Sequence, residues 1–220
     1  MTDAMTRAGR PWRHHPTGGI PGGVSDLLRT DRLVIRDWRE DDAEAALAVY
    51  GDPAVARWLT PAIETVTDLR DMQNLLQRWI AESKESEAGL GHWAVTLADS
   101  GAVIGGVSLH LLRDDEQDIE IGWQVAPEHW NKGYGSEAGR EVIRRAFTMD
   151  IDEVFALARP ANERAEAAAR RLGMTWVGAG PGASPAAALA RWFGTDADRA
   201  IPALVAEDRP ATAPVTPADR

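Results

Sequence analysis

Between Ile119 and Met174 the chain sets a strand, a loop with two glycines and a helix in direct succession, and this junction limits the available folds more than any other feature. Ile119-Glu120-Ile121-Gly122-Trp123-Gln124-Val125 reads as a strand. Pro127 to Tyr134 is loop, and the spacing predicts a helix from Ser136 to about Met149, with Ala138, Val142, Ala146 and Met149 on its buried face. Gly133 and Gly135, two apart and just ahead of that helix, let the backbone pass close to a ligand. The N–H groups of Gly133, Gly135 and Ser136 converge at the helix N-terminus, where unpaired donors and the helix dipole favour an anion. A tight strand-to-helix turn asks for the same residues, so the loop alone does not decide between structure and function.

Two phosphate-binding motifs fit poorly. A P-loop needs its lysine after the second glycine, whereas Lys132 precedes both. Gly133-x-Gly135-x-x-Ala138 matches a dinucleotide fingerprint in form, but that motif belongs in a parallel βαβ unit whose second strand ends in an acidic residue. Here a meander of antiparallel character comes first: Trp93 to Leu97, a turn at Asp99-Ser100-Gly101, Val103 to Leu111, a turn at Arg113 to Gln117, then Ile119 to Val125. The strand after the helix, Val154 to Ala158, ends in Arg159-Pro160.

Upstream, Leu33, Ile35 and, less strictly, Asp37 alternate with Arg32, Val34 and Arg36 as a strand, and Asp41 and Glu44 have capping-box spacing ahead of a helix ended by Gly51. Asp52-Pro53 starts a short second helix, and Leu69, Met72, Leu76, Trp79 and Ile80 stripe a third from Thr67 to Ser83. Downstream, Asn162 caps a helix that turns Ala165, Ala169 and Leu172 inward and stops at Gly173, and Thr175 to Val177 follows as a strand. The order predicts an α+β class with a mixed, mostly antiparallel central sheet and flanking helices. Residues 1–25, with five Gly and three Pro, read as a flexible N-terminal arm; 26–178 form the domain; 179–220 are an Ala/Pro-rich C-terminal segment. Within that segment Ile201 to Val205 suits a last strand, which Pro202 confines to an edge.

Charge and composition narrow the function. With 24 basic against 34 acidic residues the net charge is −10, which disfavours a nucleic-acid partner and suits cationic acceptors such as amines. The chain has no cysteine, which excludes disulfides, thiolate zinc and a cysteine nucleophile. His14-His15 lacks the acidic or thiol partners of a metal site, so no metal is expected. No apolar run reaches the roughly 18 residues of a membrane span, and the basic N-terminus has no apolar signal core, so the cytoplasm is the expected location.

The stretch from Glu120 to Ala138, read with Lys132-Gly133-Tyr134-Gly135-Ser136 inside it, resembles the acetyl-CoA motif of the GNAT N-acetyltransferases, most of all the branch holding the Rim-type ribosomal-protein N-terminal acetyltransferases. Trp93 to Leu111 resembles the second and third strands of that branch, and Asn162 with Arg171-Leu172-Gly173-Met174 resembles its asparagine-to-LGM helix; together these cover roughly Thr30 to Gly178. The resemblance implies the acyl-CoA N-acyltransferase fold. It implies direct transfer of an acetyl group from acetyl-CoA to a primary amine, on a protein N-terminus or a small molecule, in a ternary complex.

It further implies that the strands Ile119–Val125 and Val154–Ala158 splay apart around the pantetheine arm. Backbone groups at Gln124, Val125 and Ala126 would pair with that arm as an added strand. The pyrophosphate would rest on Lys132, Gly133, Tyr134, Gly135 and Ser136, and Asn162 would touch the cofactor arm, while also serving as a helix cap. Glu120 is the implied base, acting through water, and a backbone N–H near Val125 would stabilise the thioester oxygen. Trp123 and Trp130 either line the slot or pack the core. Where the family often has a serine to protonate the leaving thiolate, this chain has Ala165, which leaves the general acid unassigned.

The acceptor would meet the helices between Glu40 and Ser83 and the loops at Glu82–Gly91 and Arg113–Gln117, where Asp114-Asp115-Glu116 and Asp118 form an acidic patch. Arg191-Trp192-Phe193-Gly194 resembles the step before the family's last strand; if that strand is absent, an open sheet edge is left that would serve a homodimer. The alternative from another class is a catalytically weak acyl-CoA-binding or sensing module.

Overall fold

The computed structural model describes residues 26–59, 63, 65–86, 89–111, 118–149, 151, 153–159, 161–179 and 188–193. Strands β1 (Asp26–Arg29) and β2 (Leu33–Asp37) form a hairpin. A single 3-10 turn then leads into helices α1 (Ala43–Tyr50), α2 (Pro53–Ala56) and α3 (Leu69–Glu85). Strands β3 (Gly91–Leu97), β4 (Val103–Leu111) and β5 (Ile119–Val125) follow as the meander. Helix α4 (Tyr134–Thr148), β6 (Glu153–Ala158), α5 (Glu163–Arg171), β7 (Thr175–Ala179) and β8 (Ala188–Phe193) complete the described chain. The strands make one sheet in the order β1-β2-β3-β4-β5-β6-β8-β7. Every neighbouring pair is antiparallel except β5 with β6, and α4 supplies the crossover that a parallel pair needs.

The helix signals are local. Asp52 accepts a hydrogen bond from the Ala54 N–H at 2.7 Å with Pro53 behind it, which starts α2. Asp68 accepts from the Asp71 N–H at 2.9 Å and starts α3, whose stripe Met72, Leu75, Leu76 and Trp79 is buried. At α1 the capping pair expected from Asp41 and Glu44 gives way to Asp42. Its carboxylate accepts from the Arg39 N–H and, in a two-pronged buried ion pair at 2.7 and 2.8 Å, from Arg36 on β2.

Alternation along the strands sends side chains to two cores. One face carries Leu33, Ile35, Trp93, Val95, Val107, Leu109 and Ile121 against Val142, Ile143 and Leu172 of the α4–α5 layer. The other carries Ala94 and the turn residue Ala126 against Trp38, Val49, Tyr50, Met72, Leu76 and Trp79 of the α1–α3 layer.

Three features depart from the sequence expectations. β1 is an additional edge strand. The last described strand, β8, contains Arg191-Trp192-Phe193 and lies inside the sheet, paired with β6 from Glu153↔Phe193 to Ala158↔Ala188 and with β7 on its other side. The sheet therefore runs past the boundary expected at 178, and the suggestion of a dimer through a missing strand loses its premise. α4 begins at Tyr134 rather than Ser136. The N-terminal arm, the Arg113–Gln117 turn with Asp114-Asp115-Glu116, and Ile201 to Val205 lie outside the described residues.

Candidate functional site

β5 and β6 are paired only at Ile119↔Val154 and Glu120↔Phe155. Beyond that vertex they part, each still hydrogen-bonded on its outer side, β5 to β4 and β6 to β8. The result is a wedge in the middle of the sheet, open along Ile121 to Val125.

Antiparallel pairing alternates bonded and non-bonded residues. The Ala126 N–H donates to the Ile104 carbonyl at 2.9 Å, in step with the Gly105↔Val125 and Gly106↔Gln124 register. Gln124 therefore spends its backbone groups on β4, Ala126 spends its N–H on β4 and its carbonyl on the His129 N–H at 2.9 Å, and Trp123 and Val125 turn theirs toward the wedge. Of the three backbones expected at the cofactor, Val125 faces the opening; the second position there belongs to Trp123, and Gln124 and Ala126 face away. The Val125 carbonyl accepts from the Trp130 indole N–H at 2.7 Å. Trp130 in turn lies under the Arg164 guanidinium, 3.7 Å from its ring centre, so a loop after β5 and the first turn of α5 meet beside the wedge.

The loop Lys132 to Ser136 adjoins the same strand. Gly133 is the residue ahead of α4 and has φ +81, a conformation in which a side chain is strained. No side chain caps the helix, and the first intrahelical bond runs from the Glu137 N–H to the Gly133 carbonyl at 3.0 Å. The N–H groups of Tyr134, Gly135 and Ser136 thus precede the helical ladder and remain as donors. Gly135 has a different role: a Cβ there would stand 3.1 Å from Trp123 Cδ1 and 3.6 Å from Val125 Cγ2, so its bare backbone seats the first turn of α4 on the two wedge-facing residues of β5. Lys132 is exposed, and the Ser136 side chain is buried.

On the α1–α3 face, Glu120 sits at the vertex of the wedge with its side chain 14% exposed, opposite His110, whose Nε2 is 3.3 Å from the Glu120 carboxylate. The His110 ring stacks on His92 at 5.8 Å, and His92 stacks on Trp79 at 4.7 Å. Burial, with a smaller contribution from His110, pushes the His92 pKa down to about 3, so His92 is neutral near pH 7. Four residues along β5 from Glu120, the Gln124 side chain accepts from the Tyr50 hydroxyl at 3.1 Å. Burial raises the Tyr50 pKa far above its usual value and keeps it a donor. That bond directs the Gln124 amide nitrogen over Gly122, 3.6 Å from where a Cβ of that residue would be.

The remaining expected residues fall on α5. Asn162 accepts from the Ala165 N–H at 3.3 Å as the helix cap. Ala165 offers no proton, and α5 carries no Ser, Thr or Tyr. The residues that sequence reasoning missed are Trp123 as a backbone contributor, His110 and His92, Tyr50, and Arg32, which packs against the loop from the β1–β2 turn. The one available signal was that His92 and His110 interrupt strands of otherwise apolar and small residues.

The profile of the acetyltransferase (GNAT) domain matches residues 32–175. The uncharacterized N-acetyltransferase YoaA of Bacillus subtilis strain 168 is 27% identical over 148 residues, covering 67% of this chain and 81% of that protein. Among solved structures, a GNAT-family acetyltransferase from Bacillus anthracis superposes with a TM-score of 0.64 at 22% identity, over 76% of this chain and 97% of that one. Mycobacterium smegmatis RimJ, solved in complex with CoA-disulfide, superposes with a TM-score of 0.59 at 18% identity, over 73% of this chain and 81% of that one.

Proposed function

Because this chain belongs to the GNAT acetyltransferase family, we propose that it moves an acetyl group from acetyl-CoA to a primary amine, on a protein N-terminus or a small cationic molecule. The observation that carries this is the continuity of the wedge with the loop. The backbones of Trp123 and Val125 and the donors of Tyr134, Gly135 and Ser136 lie on adjoining elements, held together at Gly135. A pantetheine arm offers amides for the strand and a diphosphate offers charge for the helix end. The CoA-disulfide complex of the structurally similar RimJ supports the same donor class.

In this reading the acceptor nitrogen arrives protonated and gives a proton to Glu120, directly or through water. His110 lies beside it, its Nε2 3.3 Å from the carboxylate. The freed nitrogen pair attacks the thioester carbon, and the oxygen that gains charge is met by the wedge-facing N–H groups of β5. The carbonyl re-forms as the carbon–sulfur bond breaks with its electrons on sulfur, which takes the nitrogen's second proton, directly or relayed through water, since α5 has no hydroxyl to supply one. Asn162 borders the pantetheine arm, and Lys132 adds a positive charge at the diphosphate end. The net charge of −10 draws in a cationic acceptor.

The test is thiol release from acetyl-CoA with a chromogenic disulfide, using spermidine, an aminoglycoside and Ala- or Ser-initiated peptides as acceptors. The chain has no cysteine of its own, so the signal reports CoA alone. Release that saturates in both donor and one acceptor supports the transferase. CoA binding without release above the blank would favour the sensing role that Ala165 suggests.

A further inference from the structure

Arg32 stands apart from the wedge, in the turn between β1 and β2, yet its whole head group is engaged with the donor loop. Its Nε donates to Glu137 Oε2 at 2.8 Å, and its Nη2 donates to the same oxygen. Its Nη1 donates to the Lys132 carbonyl at 3.0 Å, and the guanidinium lies 4.7 Å from the centre of the Tyr134 ring. The Thr30 hydroxyl donates to the other Glu137 oxygen. Both oxygens of that carboxylate are therefore tied to the β1–β2 turn.

The arrangement answers an electrostatic problem. Glu137 is the acidic residue in the first turn of α4, the helix end whose N–H groups have no side-chain cap. A carboxylate left free there would accept from those donors itself or repel an arriving diphosphate. Arg32 neutralises it and holds it outward, and draws the Lys132 carbonyl to the same outer side.

We infer that Arg32 is a positioning residue for the acyl donor: by clamping Glu137 and the Lys132 carbonyl outside the loop, it keeps the N–H groups ahead of and within the first turn of α4 open to the donor diphosphate. The inference rests on the acetyl-CoA reading above. Arg32 acts through Glu137 and needs no contact with the donor. Its side chain is 49% exposed and that of Glu137 20%, so solvent screens the pair and the effect is moderate.

The experiment is calorimetric titration of CoA, and of dephospho-CoA, into the wild type, Arg32→Gln, Glu137→Gln and the double variant. Arg32→Gln is expected to raise Kd about 5- to 20-fold for both ligands, since the effect acts on the diphosphate they share. Adding Glu137→Gln is expected to return Kd to within about threefold of the wild type, because the carboxylate that Arg32 restrained is gone. Arg32→Lys keeps the charge but cannot fork between two acceptors, and is expected to fall between wild type and Arg32→Gln. An unchanged Kd in Arg32→Gln overturns the inference. So does a loss that persists in the double variant, which would mean that Arg32 touches the donor or merely anchors the turn. Failure of the wild type to bind CoA would instead remove the donor reading on which the inference stands.

Discussion

Replacing Gly106 with alanine tests how the floor of the α1–α3 face is built. Gly106 sits on β4 opposite Gln124, and a Cβ there would lie 2.2 Å from the Tyr50 hydroxyl oxygen and 3.0 Å from a Trp38 ring carbon. Both aromatic residues are 3% exposed. Tyr50 is wedged edge-on between Trp38, 6.3 Å away between ring centres, and Trp79, 5.0 Å away, so its ring has no free side to retreat to. The new methyl must displace the hydroxyl and end its bond to Gln124. Overpacking costs about 1–3 kcal/mol, and a buried hydroxyl without its partner about 1–3 kcal/mol. The stiffer unfolded chain offsets about 0.4–1 kcal/mol. The expected net loss is about 2–4 kcal/mol, which lowers Tm by about 4–15 °C in a domain of this size. Urea unfolding followed by far-ultraviolet circular dichroism measures it. A double-mutant cycle with Tyr50→Phe isolates the cause, because without the hydroxyl oxygen the alanine is expected to cost less than about 1 kcal/mol. A loss below about 0.5 kcal/mol in the wild-type background, or an equal loss in both backgrounds, would refute the packing argument.

Four further outcomes follow from the same geometry. Asp42→Ala strands the buried Arg36 guanidinium and is expected to destabilise by about 3–5 kcal/mol, read from the urea midpoint. His92 has its pKa lowered to about 3 by burial, so the unfolded chain binds the extra proton below about pH 6.5. This contribution to stability is complete above the unfolded pKa and is lost progressively as pH falls toward the folded one; from pH 6.5 to 5 the loss is about 2 kcal/mol, and His92→Phe should flatten that part of the curve. Glu120→Gln is expected to lower kcat by about 100- to 10,000-fold in the thiol-release assay while leaving CoA affinity within about twofold. Gly135→Val drives its methyls into Trp123, 3.1 Å from the position of the first added carbon, and is expected to weaken CoA binding about tenfold in a titration.

Much of this architecture is legible in the chain because local signals agree with the global one. The β3–β5 alternation, the Asp52-Pro53 start of α2, the Met72–Trp79 stripe and the Lys132–Ser136 loop each follow from short-range rules, and the structure has them all. What escapes those rules depends on pairing. Which of Trp123, Gln124, Val125 and Ala126 face the wedge is a matter of hydrogen-bond parity, which side-chain alternation does not report. His110 meets Glu120 only once the β4–β5 register is set. β1 has four residues, too few for a periodic signal. β8 pairs beyond a segment rich in Ala, Gly and Pro, and nothing local says that it enters between β6 and β7. The start of α4 illustrates a different limit: Ser136 is the better capping residue by type, but Gly133 adopts the left-handed turn that starts the helix before it.

The account depends most on a donor lying along β5 in the wedge, and backbone amide exchange followed by nuclear magnetic resonance tests that directly. Saturating acetyl-CoA is expected to slow exchange at Trp123 and Val125, whose N–H groups face the opening, and to leave Gly122 and Gln124, already bonded to β4, nearly unchanged. Unaltered exchange at Trp123 and Val125 in the presence of bound acetyl-CoA would contradict it.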